Sequence, residues 1–146
     1  YEIGFGDWSS DVCSSDLKFI VIDGRQNGDC WRACLSSILE CDIDTFPAWE
    51  YGEEWVDYFP SVIRVLESMG YQWGQYTIEN TDLNCLERFG VGGYVIAVGR
   101  SPRSTEERQI NHAVVWKNGI AHDPHPDKTG ILNITTFEVL IPIVNE

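Results

Sequence analysis

The 146-residue chain is short of basic residues: ten Lys and Arg stand against 23 Asp and Glu, a net charge of −13. Nucleic-acid phosphates are gripped by Lys and Arg, so the imbalance argues against a nucleic-acid partner and mildly against docking on anionic membranes. Apolar runs are short as well. None approaches the roughly 20 residues that a bilayer-crossing helix needs, so no membrane span is expected. Five cysteines and no export signal do not make a disulfide scaffold, which points to free thiols in a reducing, cytoplasmic setting. No internal repeat and no linker are visible, which predicts one domain. There are only three histidines, so any acid–base chemistry has few candidates.

The opening YEIGFGDWSSDVCSSDL is set apart from the rest. DWSSDVCSSDL back-translates codon for codon into the arm of a widely used short-read sequencing adapter. Residues 1–17 are therefore expected to be a non-native leader, excluded from reasoning about the fold. The segment carries Glu2, Asp7, Asp11 and Asp16 and no basic residue, so the remaining 18–146 have a net charge of −9, and Cys13 belongs to no native chemistry.

The pattern along 18–146 predicts an α+β fold, with N-terminal helices on an antiparallel sheet. KFIVID (18–23) reads as a strand and GRQNG as a turn-rich loop. DCWRACLSSILE reads as a helix with Asp29 as N-cap and an apolar stripe of Cys30, Ala33, Cys34, Leu35 and Ile38. EEWVDYFPSVIRVLESMG reads as a second helix or pair of helices, kinked or restarted at Pro60 and stopped at Gly70. YQWGQYTI, GYVIAVG, INHAVVWK, IAHD and FEVLIPI read as strands, NTDLNCLERFG as holding a short helix, and SPRSTEERQ as a polar, mobile loop. Asn118-Gly119 is a strong hairpin signal.

Chemistry concentrates at NGDCWRAC (27–34). A cysteine in the first turn of a helix meets unpaired N–H groups and the positive end of the macrodipole, which favour a thiolate. Cys30 has that placing. Cys34 lies deeper in the same helix, and Cys34, Cys41 and Cys85 read as small core residues.

A nucleophile needs a base, and the base an orienting group. A two-residue Asn118-Gly119 turn would pair Lys117 with Ile120, Val115 with His122 and Val114 with Asp123. Side chains alternate faces, so His112 shares the face of Asp123 as its diagonal cross-strand neighbour. His122 points the other way, and His125 falls in the loop after Pro124. Base and orienter are thus expected to be His112 and Asp123. A slip of one residue would instead bring His122 beside His112. For a developing oxyanion, the backbone N–H of Cys30 and the side-chain amide of Gln26 are the candidate donors.

Gln26, Asp29-Cys30-Trp31, Asn111-His112-Ala113-Val114-Val115 and His122-Asp123-Pro124 together resemble papain-like cysteine peptidases. They are most similar to the C39-like peptidase domains and their small bacterial and phage relatives. The likeness follows motif order over most of 18–142. It implies a papain-like domain over 18–146 with a Cys30–His112–Asp123 triad and an oxyanion hole of Gln26 and Cys30. Trp31, Asp29 and Asn111 become candidate substrate contacts. The implied activity is cleavage of a peptide, isopeptide or amide bond through an acyl-thioester, by a monomer without cofactor or metal. The chain departs from the family in having Trp31 where C39 peptidases usually carry Gly, and Gln26 nearer the cysteine than in papain. Three other readings compete. One is an acyltransferase of the same fold. Another is a zinc site built from Cys30, Cys34, His122 and His125. The last is a non-catalytic binding domain using the same cleft.

Overall fold

The computed structural model describes residues 19–22, 25–28, 30–50, 53–80, 86, 88–107, 109–125 and 127–144. The expectations for the leader 1–17, for Asp29 and for Cys85 lie outside these.

The chain opens with an antiparallel pair, β1 (Phe19–Ile22) and β2 (Arg25–Gly28), in which Phe19 faces Gly28 and Ile22 faces Arg25. This corrects the expectation of a loop at GRQNG. Residues rich in turn formers extend here because the backbone of β1 offers them a ladder, and backbone hydrogen bonding is indifferent to side-chain type.

Helix α1 (Cys30–Leu39) follows, with residues 31–38 all buried. A helix buried all round must satisfy its polar side chains internally. Ser37 Oγ donates to Ala33 O at 2.8 Å, Ser36 Oγ to Arg32 O at 3.0 Å, and Arg32 Nη1 to Phe46 O at 3.0 Å. The helix ends in a Schellman arrangement, with Cys41 N–H donating to Ser36 O at 3.0 Å around Glu40 at φ 53°.

Helix α2 (Trp55–Ser68) is one helix with Pro60 inside it, and its inward stripe is Tyr58, Val62 and Leu66, spaced by four. Pro60 removes one backbone donor, but it lies on the exposed side and packing of that stripe carries the helix past it.

The remaining strands are β3 (Tyr71–Thr77), β4 (Val95–Arg100), β5 (Asn111–Trp116), β6 (Ile120–His122) and β7 (Asn133–Pro142). They form a five-stranded sheet in the order β3-β7-β4-β5-β6, every neighbouring pair antiparallel. Among the described residues the fold is α+β, with helices α1 and α2 and an antiparallel sheet. Alternation along the strands splits the apolar residues between two faces. Ile96, Ala113, Val115 and Leu140 pack with Cys34, Leu35, Ile38, Val62 and Leu66 of the helices. Val95, Ala97, Val114, Phe137 and Val139 pack on the other face with Leu86. The segment between β4 and β5 is pinned at its base, where Ser101 N–H donates to Ile110 O at 2.8 Å and Ile110 N–H to Ser104 Oγ at 2.9 Å.

Candidate active site

The site forms where the start of α1 meets the start of β5. Cys30 is the first residue of α1, half-buried, and its thiol hydrogen-bonds His112. His112 is the second residue of β5 and only 1 % exposed. Its cross-strand partner is Gly99 on β4, a position that tolerates no side chain, because a Cβ there would lie 1.8 Å from Asn133 O of β7.

The β5–β6 hairpin decides which acidic or basic side chain reaches His112. Asn118 and Gly119 both have positive φ, 56° and 129°, as their sequence predicts. The ladder, however, starts from Trp116 facing Ile120 rather than Lys117 facing Ile120. Continued unchanged, that register would set His122 opposite Val114, on the His112 side. A bulge intervenes, with Ala121 as the extra residue, and Val115 faces His122. The expected relation is thereby restored one step into the strand: Asp123 meets His112 and His122 does not.

His112 Nε2 lies 2.7 Å from Asp123 Oδ1, and Asp123 is 5 % exposed. Engagement of Nε2 leaves Nδ1 as the ring nitrogen that can address Cys30. Burial alone would lower the pKa of His112. The hydrogen bonds to Asp123 and to Cys30, with the electrostatic attraction exerted by these two groups, outweigh it and bring His112 up to about 9. At neutral pH the ring is an imidazolium between a carboxylate and the thiol sulfur. Asp123 is likewise subject to burial, which would raise it. The hydrogen bond to His112, the N–H of His125 at 2.9 Å, the His112 charge and the N–H of Gly130 at 2.8 Å hold it below the usual carboxylate range.

The loop after β6 wraps this carboxylate. His125 stands with its ring centroid 6.1 Å from that of His112, edge to face. Arg103 Nη1 donates to both Asp127 oxygens at 3.1 and 3.0 Å, and Asp127 Oδ1 lies 2.8 Å from His125 Nδ1. The SPR stretch before β5 is thus tied to the loop that presents Asp123. Lys128 Nζ donates to Asp123 O at 2.6 Å. His122 is buried, and burial, followed by the Lys128 charge, pushes it down to about 4, so its ring is neutral at pH 7.

The other sequence candidates are placed as follows. Gln26 is in β2 facing Val21, and its side chain lies outside the described residues, as does Asp29. Asn111 is exposed at the first position of β5. Trp31, named as a substrate contact, is 9 % exposed and turned into an aromatic cluster with Trp55, Tyr58 and Phe59. The outward ring of that cluster is Trp55, 44 % exposed. Cys34 is fully buried, and Cys41 is half-buried with a thiol pushed up by burial. Among the described residues no group of three or more His, Cys, Asp or Glu side chains is disposed to hold a metal ion, so Cys30, Cys34, His122 and His125 do not converge as a zinc site would require.

Sequence reasoning missed Glu138. It lies in the middle of β7, 6 % exposed, and its Oε1 accepts from Trp31 Nε1 at 2.6 Å and from Trp73 Nε1 at 2.9 Å. Burial raises its pKa and the two indole donors only partly offset this, leaving it at about 7. The available signal was a lone carboxylate inside the apolar run FEVLIPI.

Comparison with protein-family models, with curated proteins and with solved structures finds no match for this chain.

Proposed function

We propose that the chain is a papain-like, C39-like cysteine hydrolase over residues 18–146, acting as a cytoplasmic monomer on a peptide, isopeptide or amide bond. The observation that carries this reading is the position of His112, bonded to Asp123 at 2.7 Å through Nε2 and hydrogen-bonded to the Cys30 thiol. A base held between a nucleophile and an orienting carboxylate is the arrangement that acyl transfer needs.

In the proposed reaction the Cys30 sulfur attacks the carbonyl carbon, forming a C–S bond and an oxyanion. The oxyanion accepts hydrogen bonds from the Cys30 N–H, which as a first-turn donor has no partner within the helix, and from the Gln26 amide. Collapse breaks the C–N bond, and the imidazolium of His112 gives its proton to the leaving nitrogen. Neutral His112 then takes a proton from water as the water oxygen attacks the thioester. The C–S bond breaks, the acid product leaves, and the thiolate–imidazolium pair is restored. Asp123 keeps the ring in register throughout and does not itself change protonation.

The test is site-resolved alkylation by iodoacetamide. Cys30 is expected to react fastest of Cys30, Cys34 and Cys41, and His112→Ala to abolish that lead. A Cys30 that reacts no faster than Cys41, with or without His112, would sink the reading and favour a non-catalytic binding domain.

A further inference from the structure

Helix α1 carries its nucleophile and its anchor side by side. Trp31 directly follows Cys30, so whatever fixes the rotation of Trp31 about the helix axis fixes that of Cys30, about 100° away on the same turn. Trp31 stacks on Phe59 at 5.7 Å and meets Trp55 edge-on at 5.2 Å. Ring contacts of this kind tolerate sliding and tilting. The directional restraint is the indole N–H, which points 2.6 Å to Glu138 Oε1, 107 residues away on β7. The same oxygen is held from β3 by Trp73 at 2.9 Å.

A carboxylate in this position is chemically expensive. Its neighbours are aromatic rings and, across the strands, Ile96 on β4 and Gln75 on β3. No cation bonds to it among the described residues, and its pKa is pushed up to about 7, as befits an acid without a charge partner. An aliphatic side chain would fill the space at lower cost, although the two indole donors would then be left unpaired.

We infer that Glu138 is a positioning residue, which fixes Trp31 against the sheet and through it aims the Cys30 thiol at His112. The inference rests on Cys30 being the nucleophile. It adds a link between the central strands of the sheet and the reactive end of α1 that the triad alone does not contain.

The experiment measures iodoacetamide alkylation at Cys30, with Cys41 as internal reference, on the full chain. Glu138→Leu and Trp31→Phe should each slow Cys30 about tenfold while leaving Cys41 within about twofold. Glu138→Gln, whose amide oxygen accepts the same two bonds, should stay within about threefold of the wild type. Trp73→Phe removes the other bond to the same oxygen, from a strand that does not carry Cys30, and should slow it less than Trp31→Phe. Should Glu138→Leu fail to fold, Trp31→Phe against Trp73→Phe decides alone. The inference is overturned if Trp31→Phe leaves the Cys30 rate unchanged while His112→Ala slows it, or if Trp73→Phe slows it as much as Trp31→Phe does. An inert Cys30 in the wild type removes the nucleophile reading and the inference with it.

Discussion

Asp123 and Glu138 are both buried carboxylates, 5 % and 6 % exposed, and the protein treats them in opposite ways. Asp123 sits at the end of a short edge strand and is met by an imidazolium and two backbone N–H groups, so it stays charged. Glu138 sits in the strand between β3 and β4 and is met by two neutral indoles on one oxygen, so it ionises only near neutrality. Burial acts on both. The difference lies in whether a charge of opposite sign and backbone dipoles are supplied in return. A carboxylate that must hold a cationic base receives them. One that only has to hold aromatic rings does not.

Removing the charged partner should have the largest effect. Asp123→Ala leaves the buried His112 without its carboxylate partner and strips acceptors from the His125 and Gly130 N–H groups, so urea unfolding at pH 7 should show a loss of about 3–5 kcal/mol. Cys30 alkylation should fall with it. A loss under 1 kcal/mol would mean that the pair contributes little to the fold.

The pH dependence sharpens the contrast, because the two acids give slopes of opposite sign. Glu138 is raised in the folded state, so its contribution is fully present below its unfolded pKa near 4.5 and is lost as pH rises through about 7. The wild type should therefore lose on the order of 3 kcal/mol between those limits relative to Glu138→Gln. Asp123 is lowered, so its contribution is present above its unfolded pKa of 3.8 and is lost as pH falls below that value. Denaturant midpoints from pH 3 to pH 8 for the two proteins test both slopes. Curves that run parallel above pH 4.5 would show that Glu138 stays ionised in the fold.

Smaller changes probe the frame around the two acids. Glu40 ends α1 at φ 53°, a conformation that costs a side-chain-bearing residue about 1 kcal/mol. Glu40→Gly should therefore raise stability by about that amount without altering Cys30 reactivity, as thermal melts and alkylation together can show. Least of all, Arg103→Ala should cost under about 1 kcal/mol, because its bridge to Asp127 is partly exposed. Raised salt should shrink the difference.

Much of the site was legible because its parts are local in sequence. Cys30 was singled out by its place at a helix start, and the His112–Asp123 pairing by a hairpin whose turn residues announce themselves. Even there the bulge at Ala121 was hidden, and without it the same turn would have brought His122 to the His112 side. The strand β2 was hidden because RQNG has the composition of a turn and is extended only by its ladder with β1. Asp23-Gly24, the dipeptide between the two strands, was the cue available.

By itself the sequence determined the elements whose cause is local: the helix that opens at Cys30, the inward residues of α2, the alternating strands and the turn at Asn118-Gly119. Tertiary structure alone decided the strand order β3-β7-β4-β5-β6 and the meeting of Glu138 with indoles 65 and 107 residues away. The reason is physical. Periodicity and turn chemistry act within a few residues, whereas a buried polar group takes its partner from whatever strand or helix packs against it, and one sequence position carries no record of that neighbour.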